Sequence, residues 1–392
     1  MRVSHVITRL ILGGAQENTL LNCEDLIRDY GDDVLLVTGP PLGPEGSLLE
    51  RAKRNGVPVA IVPALRRSIH PLRDAAAYRH IKRLLRDFRP DVVHTHSAKG
   101  GVLGRAAAHA LRVPAIVHTV HGAPWHPYQG RGARAVFQHC ERWAARRCRA
   151  FISVADAMTD LMVSAGVAPR ERFTTIYSGM EVEPLLNSAQ HRGRVREELG
   201  YGPADIVVGK IARLFHLKGH ADLLKAAPAI VSAQPRVRFL LVGDGVLRES
   251  LERQVAGLGL AAHFRFLGLV RPERIPELIA AMDVLVHTSL REGLARVLPQ
   301  ALLCGRPAVS YDIDGAREVV ISCETGYLAP PGDIGSLTAA VIDLAADPAL
   351  RECLGQAGRR RCAELFRHQR MTREIRALYE RLLRERHGAS RR

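Results

Sequence analysis

The sequence predicts an α/β protein built from two doubly wound parallel-sheet domains. Short β-branched apolar runs alternate with longer amphipathic stretches along nearly the whole chain. The alternation breaks once, in a polar segment after Met180, and then resumes. The residues with chemistry to offer fall directly after the strand-like runs, where open α/β sheets hold their ligands.

In chain order, VSHVI, DVLLVTG, VPVAIVPA, DVVHTHS, AIVHTVHG and AFISVA read as the strands of the first half. AAAYRHIKRLLRDF and GRAAAHAL are among the helices between them. IVVGKIARL, VRFLLVGDG, FRFLGLV, VLVHTSL and PAVSYDI read as the strands of the second. Strand–helix–strand units cross over right-handed and give parallel sheets covered on both faces. The domains are placed at 1–182 and 205–365, with 183–204 as a linker. Residues 366–392 are placed as a C-terminal helix packing back toward the first domain. From Ala363 to Arg386 the apolar positions Leu365, Phe366, Ile375, Leu378, Tyr379 and Leu382 recur near helical spacing, and the final HGASRR is expected to fray.

A chain of 392 residues is long enough for two ordinary domains. No apolar run approaches the roughly 20 residues of a membrane span, and the start, MRVSHVITRLILGG, is broken by His5 and Arg9, as a first strand and not a signal peptide. A cytoplasmic location is expected. The seven cysteines are odd in number, scattered and free of CxxC pairs, which argues against a disulfide framework or zinc knuckle. The net charge of +16 draws the chain toward anions: nucleic acid, acidic headgroups or phosphorylated substrates.

The motifs are unequal in specificity. In ITRLILGGAQENTL, Gly13 and Gly14 open a helix after the first strand, a turn suited to an anion but equally to plain strand–helix chain reversal. In HTHSAKGG, His94 and His96 alternate at a strand end. With His118, His121 and His126 they suggest a metal, yet no carboxylate or cysteine sits at ligand spacing, and hydrogen-bonded strand-end histidines are the preferred account. In HTVHGAPWHPYQG, His121 follows a strand and precedes an aromatic loop suited to an acceptor pocket, where imidazole can bond a hydroxyl or developing charge.

GKIARLFHLKGH is the sharpest signal of the second half. Arg213 ends a strand, and Lys218 stands five residues on, before Gly219 and a helix. Two cations beside a helix N-terminus make a diphosphate clamp, each charge-assisted bond contributing about 1.5–3 kcal/mol. In VGDG, Gly243 and Asp244 make a tight turn approached closely either by ligand or by ordinary packing. In REGLARVLPQAL, Glu292 and Gly293 turn out of the VLVHTS strand. A helix expected to begin near Ala295 then aims the backbone N–H groups of Leu294 and Ala295 at a phosphate, and Gln300 lies eight residues after Glu292.

Together GGAQ, HTHSAKGG, HTVHG, ARLFHLKG, VGDG, REGLARVLPQA and TGYLAPPGD resemble, in order and spacing over nearly the whole chain, the retaining GT-B glycosyltransferases marked by a Glu–seven residues–Glu signature. The resemblance implies a GT-B fold, two Rossmann-like domains facing a cleft, and transfer of a hexosyl group from a nucleotide sugar, UDP by family frequency, to a hydroxyl acceptor in cell-surface polysaccharide or glycolipid synthesis. It implies His121, Arg213, Lys218 and Glu292 as catalytic residues. It assigns Gly13, Gly14, Arg213, Lys218, Gly243, Asp244, Val270, Glu292, Gly293, Leu294, Ala295 and Gln300 to the donor. No cofactor or metal is expected, because cations and helix dipoles take the metal's place. Gln300 departs from the signature's second Glu, a change worth about 1 kcal/mol in grip on the ribose.

The acceptor is open, with a lipid-linked one as an option. GRGARAVFQHCERWAARRCRA carries Arg131, Arg134, Arg142, Arg146, Arg147 and Arg149 against Glu141, with Phe137 and Trp143 between, as a helix on an anionic membrane or a solvated basic face. Two rivals stand beside transfer. One is a nucleotide-sugar epimerase of the same fold. The other is a basic nucleic-acid-binding protein, for which no helix-turn-helix, zinc finger or stacking platform is found.

Overall fold

A computed structural model describes residues 1–42 and 46–389, and in it the chain divides into two compact units, Met1–Met180 with Arg367–Arg392, and Glu181–Phe366. The first unit contains a seven-stranded parallel sheet: β1 (Arg2–Ile7), β2 (Asp33–Thr38), β3 (Val59–Ile61), β4 (Val92–His96), β5 (Ala115–Val120), β6 (Ala150–Ser153) and β7 (Phe173–Thr175). Its order is β3-β2-β1-β4-β5-β6-β7. The second contains a six-stranded parallel sheet: β8 (Ile206–Ile211), β9 (Val237–Val242), β10 (Phe264–Gly268), β11 (Val284–His287), β12 (Ala308–Tyr311) and β13 (Gly326–Ala329), in the order β10-β9-β8-β11-β12-β13. Each strand order reverses once, between β1 and β4 and between β8 and β11. A crevice opens at the carboxyl ends of such a pair. Each predicted strand is present. The edge strands β7 and β13 were missed because each is only three or four residues long, and β13 lacks β-branched residues altogether.

The sheets are buried on both faces, as parallel sheets require. Val3, Ile7, Val34, Leu36, Val92, Val117 and Ile152 pack under helices in the first unit. Val208, Phe239, Leu241, Val284, Val286, Val309 and Tyr311 do so in the second.

Residues 183–204, read as a linker, are short helices at Glu183–Leu186 and Arg192–Glu198 within the second unit. Two of their arginines turn inward. The Arg192 and Arg196 guanidiniums donate to Asp283 at 2.6 and 3.1 Å and to the carbonyls at the end of the helix Ile275–Ala281. The stretch read as one terminal helix is two, Pro348–Leu365 and His368–Ala389, and the break at Phe366–Arg367 is where the chain passes from the second unit to the first. The helix His368–Ala389 packs on the helix Gly14–Tyr30. Its Ile375, Leu378, Tyr379 and Leu382 enter the first core, and its Thr372 hydroxyl and His368 ring bond the buried Asp25 carboxylate, each at 2.8 Å. Of the segment expected to fray, Ser390 to Arg392 lie outside the described residues.

Candidate functional site

At the carboxyl edge of the first sheet, Gly13 sits in extended conformation, and its carbonyl accepts from the Glu17 N–H at 2.9 Å, opening the helix Gly14–Tyr30. His5 on β1 pairs in register with His94 on β4, and His96 lies two residues on along the same face. One nitrogen from each of these three rings lies within 4.8 Å of the others, close enough to share a cation. In the structure the rings bond one another and their neighbours. His5 Nδ1 meets His96 Nε2 at 3.0 Å, and His96 Nδ1 meets His121 Nε2 at 3.1 Å. His94 bonds the Tyr379 hydroxyl at 2.5 Å and Thr119 at 2.6 Å. Burial pushes His5 down to about 3, and holds His94, His96 and His118 well below the usual imidazole range. These rings are therefore neutral at pH 7. His5, inside the first strand, was the member that spacing along the sequence did not reveal.

The half-buried His121 stands just past β5, at the outer end of this chain of rings. The loop after it divides: Trp125 is buried, while Tyr128 is exposed. In the helix Arg131–Ala145, Glu141 does not face solvent. It is buried in an ion pair with Arg105 at 2.8 Å, while Arg131, Arg134 and Arg142 are exposed and the Arg147 guanidinium stacks 3.5 Å over Trp143. Among the described residues no helix is long and apolar enough to cross a membrane.

The second sheet concentrates charge at the carboxyl ends of β8 and β11. Lys218, in the turn after β8, donates to Glu292, in the turn after β11. The His287 ring, at the end of β11, lies 3.5 Å from the same carboxylate oxygen. Burial alone would raise the Glu292 pKa. The His287 ring and the Lys218 ammonium outweigh it and hold the carboxyl well below its ordinary range. The Glu292 N–H donates to Asp314 at 2.7 Å, fixing the turn. Gly219 is required here: its φ is +62°, and an added Cβ would run into the Thr288 carbonyl oxygen. Arg213 is exposed on the same turn, its guanidinium 5.1 Å from the centre of the Phe215 ring, while its carbonyl bonds the His220 ring at 2.9 Å.

The remaining donor candidates are spread around this edge. In VGDG, Gly243 has φ 131°, and the Ala212 carbonyl blocks a side chain there. The close approach is made by the protein's own backbone. Asp244 accepts from the Gly245 N–H at 2.7 Å and faces Arg248 at 3.6 Å, and Val270 is half-buried beyond β10. Leu294 and Ala295 are buried, Gly293 accepts from the Gly315 N–H at 3.2 Å, and the helix begins at Val297, two residues later than expected. Gln300 is half-buried on that helix.

Family models match both units in turn: "Glycosyl transferase 4-like domain" over residues 13–179, and "Glycosyl transferases group 1" over 192–361. The chain belongs to the GT-B glycosyltransferases. Among curated relatives, the UDP-Gal:alpha-D-GlcNAc-diphosphoundecaprenol alpha-1,3-galactosyltransferase of Escherichia coli is 28% identical over 354 residues, covering 89% of each chain. The 2-deoxystreptamine N-acetyl-D-glucosaminyltransferase of Streptomyces fradiae is 29% identical over 358 residues, covering 86% of this chain and 83% of that one. Among solved structures, Anabaena HepE in complex with UDP-glucose aligns with a TM-score of 0.81 at 23% identity, over 97% of this chain and 99% of that one. This likeness establishes the shared fold.

In this glycosyltransferase the second edge also holds a buried lysine that no motif marked. Lys210, inside β8, is fully buried and donates to the Thr288 hydroxyl at 2.7 Å, which in turn donates to the Gly219 carbonyl at 2.6 Å. Burial first, and the neighbouring Lys218 charge second, push its pKa down to about 7. The signal was present: a lysine in the middle of the apolar run IVVGKIARL is costly unless something uses it.

Proposed function

We propose that the protein moves a hexosyl group, with retention of configuration, from a UDP-sugar to a hydroxyl acceptor in cell-surface polysaccharide or glycolipid synthesis at the cytoplasmic face of the membrane. One observation carries the reading: Lys218 and Glu292, apart in sequence, are in contact where the second sheet's strand order reverses, with Lys210 buried in contact with the same turn. The UDP-glucose held by HepE and the UDP-Gal of the E. coli relative support a nucleotide-sugar donor, and that relative's diphosphoundecaprenol acceptor supports a lipid-linked one.

In this reading the second unit binds the donor and the first the acceptor. Lys218, Arg213 and the donors at Leu294 and Ala295 take up charge on the departing diphosphate, in the role a metal fills elsewhere. Glu292 is freed from Lys218 as the ammonium turns to phosphate, and accepts hydrogen bonds from the hexose hydroxyls. Gln300 stands where the Glu–seven residues–Glu signature has its second acid and bonds the ribose through a neutral amide. The acceptor hydroxyl attacks the anomeric carbon from the face the diphosphate leaves, and its proton passes to a leaving-group oxygen. The family resemblance assigns His121 to the anomeric carbon.

The experiment is a donor screen followed by product analysis. Incubation with UDP-glucose, UDP-galactose and UDP-N-acetylglucosamine, with and without a prenyl-diphosphate-linked sugar, is read by nuclear magnetic resonance. Transfer with an α-linkage from an α-linked donor is expected. Conversion of the donor sugar without acceptor identifies an epimerase and overturns the reading.

A further inference from the structure

On the carboxyl edge of the first sheet, away from the histidines, lies a cavity of about 530 Å³ lined by Arg9, Pro40, Leu42, Arg66, Arg67, Ser68 and Arg73. Arg9 follows β1, Pro40 and Leu42 follow β2, and Arg66, Arg67 and Ser68 follow β3. The strand ends therefore deliver three guanidinium groups to one hollow and the helix Pro71–Phe88 a fourth, Arg73, and no carboxylate lines it among the described residues.

The hollow is built. Lys99, from the helix Ala98–Ala110, donates to the Ser68 carbonyl at 2.5 Å and to the Asp74 carboxylate at 2.7 Å. Arg73 donates to the Ser68 hydroxyl at 2.9 Å, and His70 caps the helix Pro71–Phe88 by accepting from the Arg73 N–H. Arg9 donates to the Leu42 carbonyl at 2.7 Å, tying the loop after β2 to the end of β1. Asp74, one residue after Arg73, is held by Lys99, and Arg66 and Arg67 extend exposed from a pinned segment.

The rim has the opposite character. Ile69 and Leu72, adjoining Ser68 and Arg73, are 72% and 79% exposed, the two most exposed large hydrophobic residues of the first unit among those described, and Leu42 inside the cavity is half exposed. Guanidinium groups match phosphate oxygens by paired N–H donors. An apolar rim beside them matches a hydrocarbon tail. Four guanidiniums exceed the charge of one phosphodiester and suit a diphosphate.

We infer that this cavity seats the diphosphate of the acceptor, with its hydrocarbon chain leaving over Ile69 and Leu72. This rests on the transferase reading, and it specifies that the acceptor is a sugar diphosphate ester of a long apolar alcohol. Residues that no sequence motif singled out then select the substrate.

The test is equilibrium binding of farnesyl diphosphate, inorganic diphosphate and farnesol, measured in a Lys218→Ala background so that the cation of the second unit does not compete. Farnesyl diphosphate is expected to bind at least tenfold more tightly than inorganic diphosphate or farnesol. Arg66→Gln with Arg67→Gln, both on exposed side chains, is expected to weaken farnesyl diphosphate at least tenfold. Ile69→Ser with Leu72→Ser is expected to weaken it severalfold while leaving inorganic diphosphate unchanged. Equal binding of farnesyl diphosphate by the arginine variant, or inorganic diphosphate binding as tightly as the farnesyl ester, overturns the inference. UDP affinity of the otherwise native chain is measured separately. Its absence would count against the donor reading and leave the outcome at this cavity standing.

Discussion

The Lys218 ammonium donates to the Glu292 carboxylate across 74 positions of sequence, and Lys210 lies buried in contact with the same turn through Thr288. Besides the two lysines, the rings of His287 and His220 stand there, both driven toward neutrality mainly by burial. A diphosphate would bring negative charge to the two lysines.

Removing Lys218 or Arg213 should slow turnover strongly. Lys218→Ala or Arg213→Ala is expected to lower kcat/KM by about 10²-fold or more, as loss of a preorganised charge at a leaving group does elsewhere. Steady-state rates with the preferred donor check this, and full activity in Lys218→Ala would remove the clamp from the account.

Lys210 gives a pH dependence with a definite sign. Its folded pKa of about 7 lies below the ordinary lysine value, so between pH 7 and about 10.5 the unfolded chain binds the extra proton. Stability contributed by this position therefore rises as pH increases through that window, and below pH 7 the buried charge is a constant penalty. Lys210→Met is expected to be the more stable protein at pH 6, by an amount on the order of a few kcal/mol at most, with the advantage shrinking toward pH 9.5. Urea unfolding of both proteins across that range checks it, and a pH-independent difference contradicts it.

In the first unit, Tyr379→Phe removes the hydroxyl that bonds His94 at 2.5 Å in the core. A buried imidazole nitrogen loses its partner, and a loss of about 1–3 kcal/mol is expected in denaturant unfolding. The helix His368–Ala389 is thus joined to the sheet by polar as well as apolar contact.

Gln300→Glu should stay active and should not lose nucleotide affinity, because it restores a charged acceptor at a half-buried helical position. Calorimetric titration of both proteins with UDP decides it.

Much of this was legible from local pattern. Alternation of apolar runs announced both sheets, and the cation–glycine and acid–glycine turns put Lys218 and Glu292 at strand ends of one parallel sheet, though only the structure shows their contact with each other. What was not legible depended on packing across elements. His5 looks like a strand residue until β1 is laid beside β4. Lys210 was passed over because its partner Thr288 comes from β11's far end. The polar segment 183–204 looked like a linker because its arginines could not be seen to reach Asp283. Gly243 suggested a ligand, but the backbone that approaches it is the protein's own.

The most direct measurement is calorimetric titration of UDP and of the active UDP-sugar into Lys218→Ala and Glu292→Gln. The account predicts that Lys218→Ala weakens both ligands, whereas Glu292→Gln weakens the UDP-sugar and leaves UDP unchanged or tighter, since the acid reads only the hexose and otherwise occupies Lys218. Unaltered affinity of Lys218→Ala for both ligands, or equal loss of both in Glu292→Gln, would contradict it.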